Sequence, residues 1–142
     1  MDYPFSKIVN SEEETALLAE DFIIGVSPGD IIVLNGNLGS GKTFFIKKSL
    51  EKYGVNNVSS PTFAIVNEYN GKFKIYHFDF YRINKIRELF DIGFNDYIND
   101  EDAVIFIEWG ELFKEIIPRK RIEINITLNQ DFSRKFEIKR YE

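Results

Sequence analysis

A lysine and a threonine set directly behind closely spaced glycines can bind phosphate and a divalent cation. This chain places them in Gly36-Asn37-Leu38-Gly39-Ser40-Gly41-Lys42-Thr43. The spacing satisfies the P-loop pattern. Glycines let successive backbone N–H groups turn inward around an anion, because a Cβ would obstruct both the φ angles and the close approach. Leu38, Gly39, Ser40 and Gly41 are therefore candidates for the phosphate cradle. Lys42 would reach the outer phosphates, and the Thr43 hydroxyl would hold Mg2+. In the empty protein the Lys42 ammonium is expected to face solvent.

A phosphate-handling loop needs carboxylates opposite it, at the end of a neighbouring strand, to complete a magnesium shell and to handle water. Two acids have the right context. Glu108 follows the aliphatic run Val104-Ile105-Phe106-Ile107, and Asp79 ends Tyr76-His77-Phe78-Asp79. The open alternatives are a strand-terminating acid for Glu108 and a helix cap or turn residue for Asp79. Thr62, in Ser59-Ser60-Pro61-Thr62-Phe63, is a hydroxyl on a proline-stiffened loop that could sense a terminal phosphate. Arg82 could neutralise phosphate charge or be a solvated surface arginine. Strand alternation puts His77 on the face of Asp79, and it is expected to pack beside the sheet. Trp109 is core, a surface that stacks on a partner, or packing that holds the magnesium ligand in place.

The elements that must position these residues are legible from patterning. Ser11 and Glu14 form a capping box ahead of TALLAEDFII, where apolar residues repeat at helical spacing. The turn Ser27-Pro28-Gly29-Asp30 closes that helix. Ile31 to Leu34 is a strand buried on both faces. The P-loop leads from it into a helix over Thr43 to Tyr53, capped by Gly54. Phe63 to Tyr69 and Lys72 to Phe78 flank Asn70-Gly71 as a hairpin. A short helix near Lys85 to Asp91 and an aromatic-rich connector lead to a strand at Ala103 to Ile107. Glu111 to Ile117 is a short helix stopped by Pro118, and Arg121 to Leu128 with Arg134 to Tyr141 forms a terminal hairpin. The expectation is one α/β domain over residues 1–142. It would have a P-loop NTPase-like three-layer fold, with a mixed, mainly parallel central sheet and antiparallel hairpins.

Composition narrows the classes. The chain has 142 residues, 44% of them hydrophobic, no cysteine and one histidine. Thiol nucleophiles, disulfide frameworks and thiolate zinc sites are thereby excluded. The start MDYPFSKIVN has no basic segment followed by an apolar stretch, and no apolar run approaches the ~20 residues that span a bilayer. A cytoplasmic protein with no membrane partner is expected. Eighteen basic against 23 acidic side chains give a net charge of −5. That balance disfavours direct, unaided nucleic-acid binding.

Four blocks together resemble the TsaE (YjeE) family of bacterial P-loop ATPases. They are the loop itself, Ser60-Pro61-Thr62-Phe63 with Glu68-Tyr69, His77-Phe78-Asp79-Phe80-Tyr81-Arg82, and Ile107-Glu108-Trp109 followed by Glu111. Similarity extends upstream through Ser11, Glu14 and Thr15, and downstream through Ile92-Gly93 and Tyr97. The resemblance implies a Mg2+-dependent ATPase, weak alone, required for threonylcarbamoyl-adenosine in tRNA and acting with the TsaB and TsaD proteins. It implies that Lys42 and the loop amides bind the phosphates of ATP, that Thr43 and Glu108 hold magnesium, and that Asp79 sits near the terminal phosphate. Thr62 becomes a switch-like hydroxyl, and base contacts fall near Ser11-Glu12 and Ser133-Arg134. Gly110 departs from the family pattern, where proline or another residue is common, and is expected to loosen the loop after the strand. Two other classes share the loop: a small-molecule kinase, which needs an acceptor pocket and an arginine-bearing lid, and a nucleotide-dependent switch with little hydrolysis.

Overall fold

A computed structural model describes residues 1–58 and 64–142, so Thr62, its neighbours Ser59 to Phe63 and the expected start of a strand at Phe63 lie outside the described residues. In chain order the elements are β1 (Phe5–Val9), α1 (Glu12–Ile24), β2 (Ile31–Gly36), α2 (Lys42–Glu51), β3 (Val66–Asn70), β4 (Lys74–Asp79), α3 (Arg87–Asp91), α4 (Phe94–Ile98), β5 (Ala103–Glu108), β6 (Arg121–Leu128) and β7 (Arg134–Tyr141). Short 3₁₀ segments follow β4 at Phe80–Arg82 and β5 at Gly110–Ile116.

Among the described residues the strands form one seven-stranded sheet in the order β1-β7-β6-β2-β5-β4-β3. The four central strands β6, β2, β5 and β4 run parallel, and antiparallel pairs flank them on both sides. The patterning explains the order. Every residue of Ala103-Val104-Ile105-Phe106-Ile107-Glu108 is buried, as a strand covered on both faces must be, whereas β6 buries only Ile122, Ile124 and Ile126. Helices α1 and α2 cover one face, where Phe45 packs between Phe22 and Phe136 at ring separations of 5.5 and 5.3 Å. The segments on either side of β5, Phe80 to Ile98 and Trp109 to Ile117, cover the other face, around Phe78, Phe80 and Phe94. The result is the expected three-layer α/β arrangement.

Local signals act as read. The Ser11 hydroxyl accepts a bond from the Glu14 N–H at 3.1 Å, and the Glu14 carboxylate accepts one from the Asn10 N–H, so the capping box starts α1. The differences are at the margins. Strand β1 was not expected: it buries only Val9 fully and pairs with β7 along one edge, so it carries almost no alternation. The β3–β4 loop is Gly71 to Phe73 rather than Asn70-Gly71 alone, because the Lys72 N–H is drawn to the Tyr53 carbonyl at 2.8 Å beyond the end of α2. The aromatic connector contains α4, and the helix expected at Glu111 to Ile117 is a tighter 3₁₀ segment broken at Phe113.

Candidate active site

Parallel register decides which side chains meet. Strand β2 pairs with β5 so that Leu34 lies opposite Glu108, and β4 pairs with β5 so that Asp79 lies opposite Glu108. Both acids therefore end their strands at the edge where β2 turns into the P-loop, which is where ligands bind in open α/β sheets. Gly41 takes φ +108°, a left-handed conformation that a side chain would strain, and this turn lets α2 begin at Lys42.

Thr43, one residue into α2, donates its hydroxyl proton to Glu108, with Oγ1 at 2.8 Å from Oε1 and 3.1 Å from Oε2. The Glu108 side chain is buried, and on its other side Oε2 lies 2.6 Å from His77 Nε2. Asp79 is also buried. Burial and the neighbouring Glu108 push its carboxyl above the usual aspartate range, against the Tyr81 N–H that donates to Oδ1 at 3.1 Å and the Arg82 guanidinium 3.7 Å from Oδ2. Thus Asp79 also caps the 3₁₀ turn that follows it, and Arg82 turns toward this acid.

Lys42 corrects one expectation. Its side chain is 5% exposed rather than solvent-facing. The ammonium donates to the carbonyls of Gly36 at 2.5 Å and Asn37 at 3.1 Å, and the Trp109 ring lies over it with its centroid 3.9 Å away. Burial pulls the lysine below its ordinary value, while Glu108, Glu111 and Asp79 oppose that fall. Trp109 itself sits at φ +62°, and its half-buried indole packs against Tyr81 at 4.9 Å and on the core of the second face, so it joins the site to that core. Gly110 does not loosen the segment. A Cβ there would fall 2.3 Å from Val33 Cγ1, so the missing side chain lets the chain after β5 lie directly on β2. Glu111, next in line, accepts the Gly36 N–H at 3.0 Å and so anchors the first residue of the P-loop. Nothing in the local sequence indicated that bond.

Between the P-loop, Asp79, Arg82, Glu108 and Trp109 lies an open cavity of about 390 Å³. Beside Gly41 a smaller cleft of about 90 Å³ is lined by Glu12, Thr15, Phe44 and Arg134. Arg134 also donates to the Ser40 carbonyl at 2.8 Å, tying the start of β7 to the loop. Ser11 and Ser133 flank this cleft in sequence, and both hydroxyls have structural partners. Ser11 caps α1, and Ser133 donates to Asp131 Oδ1 at 2.6 Å within the β6–β7 turn. Among the described residues, no three histidine, cysteine or acidic side chains converge as a metal cage. A hydroxyl and a carboxylate within 2.8 Å of each other nevertheless fit magnesium, which takes one or two protein oxygens and draws its other ligands from water and phosphate. No helix is long and apolar enough to cross a membrane among the described residues.

A glycine-rich loop joining a central parallel strand to a helix, with the acid of the adjacent strand bonded to that helix's first hydroxyl, defines a P-loop fold. A crystal structure of Bacillus subtilis YdiB superposes with a TM-score of 0.81 at 30% identity, covering 100% of this chain and 88% of that one. The sequence model of the family described as threonylcarbamoyl adenosine biosynthesis protein TsaE matches residues 9–136, and the chain belongs to this family. Among its relatives are proteins named tRNA threonylcarbamoyladenosine biosynthesis protein TsaE. That of Rickettsia typhi is 38% identical over 93% of this chain and 92% of its own length, and that of Bacillus subtilis is 40% identical over 80% and 72%.

Proposed function

We propose that this chain is a Mg2+-dependent ATPase of tRNA threonylcarbamoyladenosine biosynthesis, a single cytoplasmic domain over residues 1–142 that acts with TsaB and TsaD proteins. The names of its relatives support the pathway. The observation that carries the ATPase reading is the Thr43–Glu108 bond of 2.8 Å at the mouth of the P-loop, because it brings two hard oxygen donors to one point beside a phosphate cradle.

Each residue then has a role that its position allows. The amides of Leu38, Gly39, Ser40 and Gly41 bind phosphate oxygens, aided by the positive end of α2. Lys42 leaves the Gly36 and Asn37 carbonyls to pair with the outer phosphates. Thr43 and Glu108 would hold magnesium, which would supply neutralisation of phosphate charge. Asp79, one strand over, orients water or takes its proton; its raised pKa suits an acid that exchanges protons during turnover. The Glu12, Thr15 and Arg134 cleft receives the base, near Ser11 and Ser133. Thr62 senses the terminal phosphate. ATP state controls the contact with the partner proteins through Thr62 and Asp79, and hydrolysis is slow alone and faster in the assembly.

The test is phosphate release from ATP by the chain alone, with TsaB and TsaD, and with small-molecule acceptors. Stimulation by the proteins supports this reading. Phosphate found on an acceptor means a kinase, and nucleotide-dependent association without turnover means a switch. In the same assay series, Glu108→Gln is expected to weaken ATP binding mainly when magnesium is present. Normal hydrolysis by that variant at limiting magnesium would remove the ligand assignment.

A further inference from the structure

The chain contains a single histidine, and it is buried against the site acid. His77 stands on β4 opposite Phe106 of β5, two residues before Asp79 and therefore on the same face of the sheet as both acids. Its Nε2 lies 2.6 Å from Glu108 Oε2. Its Nδ1 is buried and has no hydrogen-bond partner among the described residues. These two facts assign the tautomer. Against the Glu108 carboxylate, a proton on Nδ1 would leave a buried donor unpaired and would set two bare lone pairs 2.6 Å apart at Nε2 and Oε2; a proton on Nε2 turns that repulsion into a hydrogen bond and leaves at Nδ1 an unpaired acceptor, the less costly orphan. His77 therefore donates to Glu108.

The Glu108 carboxylate is gripped from two sides that differ in kind. Thr43 approaches from the P-loop, its shorter contact being to Oε1, and its hydroxyl is the donor that a bound cation would displace. His77 approaches from inside the sheet, touches Oε2 and is shielded from solvent by its surroundings. The Tyr69 ring of β3 lies near it, with centroids 6.4 Å apart and planes tilted by 35°. A carboxylate at a strand end can rotate about its side-chain torsions. A donor fixed in the sheet behind one oxygen removes that freedom and leaves the other oxygen facing Thr43.

We propose that His77 is a positioning residue for the nucleotide's cation: by holding Oε2 of Glu108 it presents Oε1 beside the Thr43 hydroxyl. This inference rests on the reading of Glu108 as a magnesium ligand. Groups that orient a metal-binding side chain from behind typically change metal affinity ~10–100-fold when removed, whereas a histidine that merely fills the core would not change it.

Because there is one histidine, the imidazole of 15N-labelled protein gives one set of long-range 1H–15N signals. In the nucleotide-free protein these are expected to show the proton on Nε2, and the Nδ1–H pattern would overturn the inference. Affinity for a non-hydrolysable ATP analogue is then measured by calorimetry across a magnesium titration, and also in EDTA. His77→Leu is expected to weaken the magnesium-dependent gain about 10-fold while leaving the EDTA affinity unchanged. His77→Gln keeps an amide donor and should restore most of that gain. Should the leucine variant not fold, the glutamine variant and the tautomer decide: a folded Gln variant that loses the gain entirely overturns the inference. Equal magnesium dependence in wild type and His77→Leu also overturns it, with the role of Glu108 left standing. A wild-type protein without magnesium dependence removes both.

Discussion

Lys42 shows how much a single residue's state depends on its surroundings. Its ammonium is satisfied by the loop's own carbonyls and covered by Trp109, so phosphate binding must exchange one set of partners for another. Lys42→Ala is expected to abolish ATP binding by calorimetry. Its melting temperature should fall by no more than a few degrees, since the freed carbonyls belong to half-buried Gly36 and exposed Asn37 and can take water. Unchanged nucleotide affinity would take the loop out of the mechanism. Asp79 carries a second prediction. Its folded-state pKa is raised, so the folded protein holds this proton more tightly than the unfolded chain does. The stabilisation is full below the ordinary aspartate pKa and is lost as pH rises through the raised value. Asparagine mimics the protonated acid and can still accept the Tyr81 N–H. Asp79→Asn should therefore melt on the order of a few degrees higher than wild type at neutral pH, with no gain below the ordinary aspartate range. Parallel pH-dependence of the two melting curves would refute the burial argument.

At the level of elements, the segment after β5 binds the two halves of the site together. Glu108 reaches Thr43, Trp109 lies on Lys42, Gly110 rests on Val33 of β2, and Glu111 holds the amide of Gly36. Four consecutive residues thus touch three parts of the strand–loop–helix unit, and the glycine sets the distance for the others. Gly110→Ala should force this segment away from β2. Overpacking of this kind costs about 1–3 kcal/mol, or roughly 5 °C in a chain of this size. Displacing Trp109 and Glu111 should also weaken nucleotide binding. Denaturant unfolding and calorimetry measure the two effects separately, and an alanine variant of wild-type stability would show that the close approach is not a constraint.

For the whole molecule, charge sets what it can grip. The net charge is −5, and the local basic groups Lys47-Lys48 and Arg119-Lys120-Arg121 are partly neutralised by neighbours, Lys48 by Glu51 at 3.3 Å and Arg121 by Glu123 at 2.8 Å. Binding driven by counterion release needs several unpaired cations on one surface. The isolated protein should therefore bind tRNA no tighter than about micromolar at physiological salt, while associating with TsaB and TsaD in a nucleotide-dependent way. Sedimentation with purified tRNA and with the purified proteins in parallel measures both. Tight tRNA binding without protein association would indicate an enzyme that acts on RNA directly.

Features set by contiguous residues can be read without coordinates. A P-loop is readable because strand, glycines, lysine and helix adjoin, and phosphate is bound largely by local backbone. The α1 capping box and the buried runs of β2 and β5 are equally local, so the α/β class and the acids ending their strands were legible. Contacts across the sheet come from long-range packing and leave no local signal. Glu108 meets Thr43 across 65 residues, His77 across 31, and Glu111 meets Gly36 across 75. Those meetings follow from strand order and parallel register, which depend on how the strands of the sheet pack at once. Edge strand β1 escaped notice because one buried residue makes no pattern. The burial of Lys42 escaped because nothing near it in the chain indicates that Trp109 will cover it.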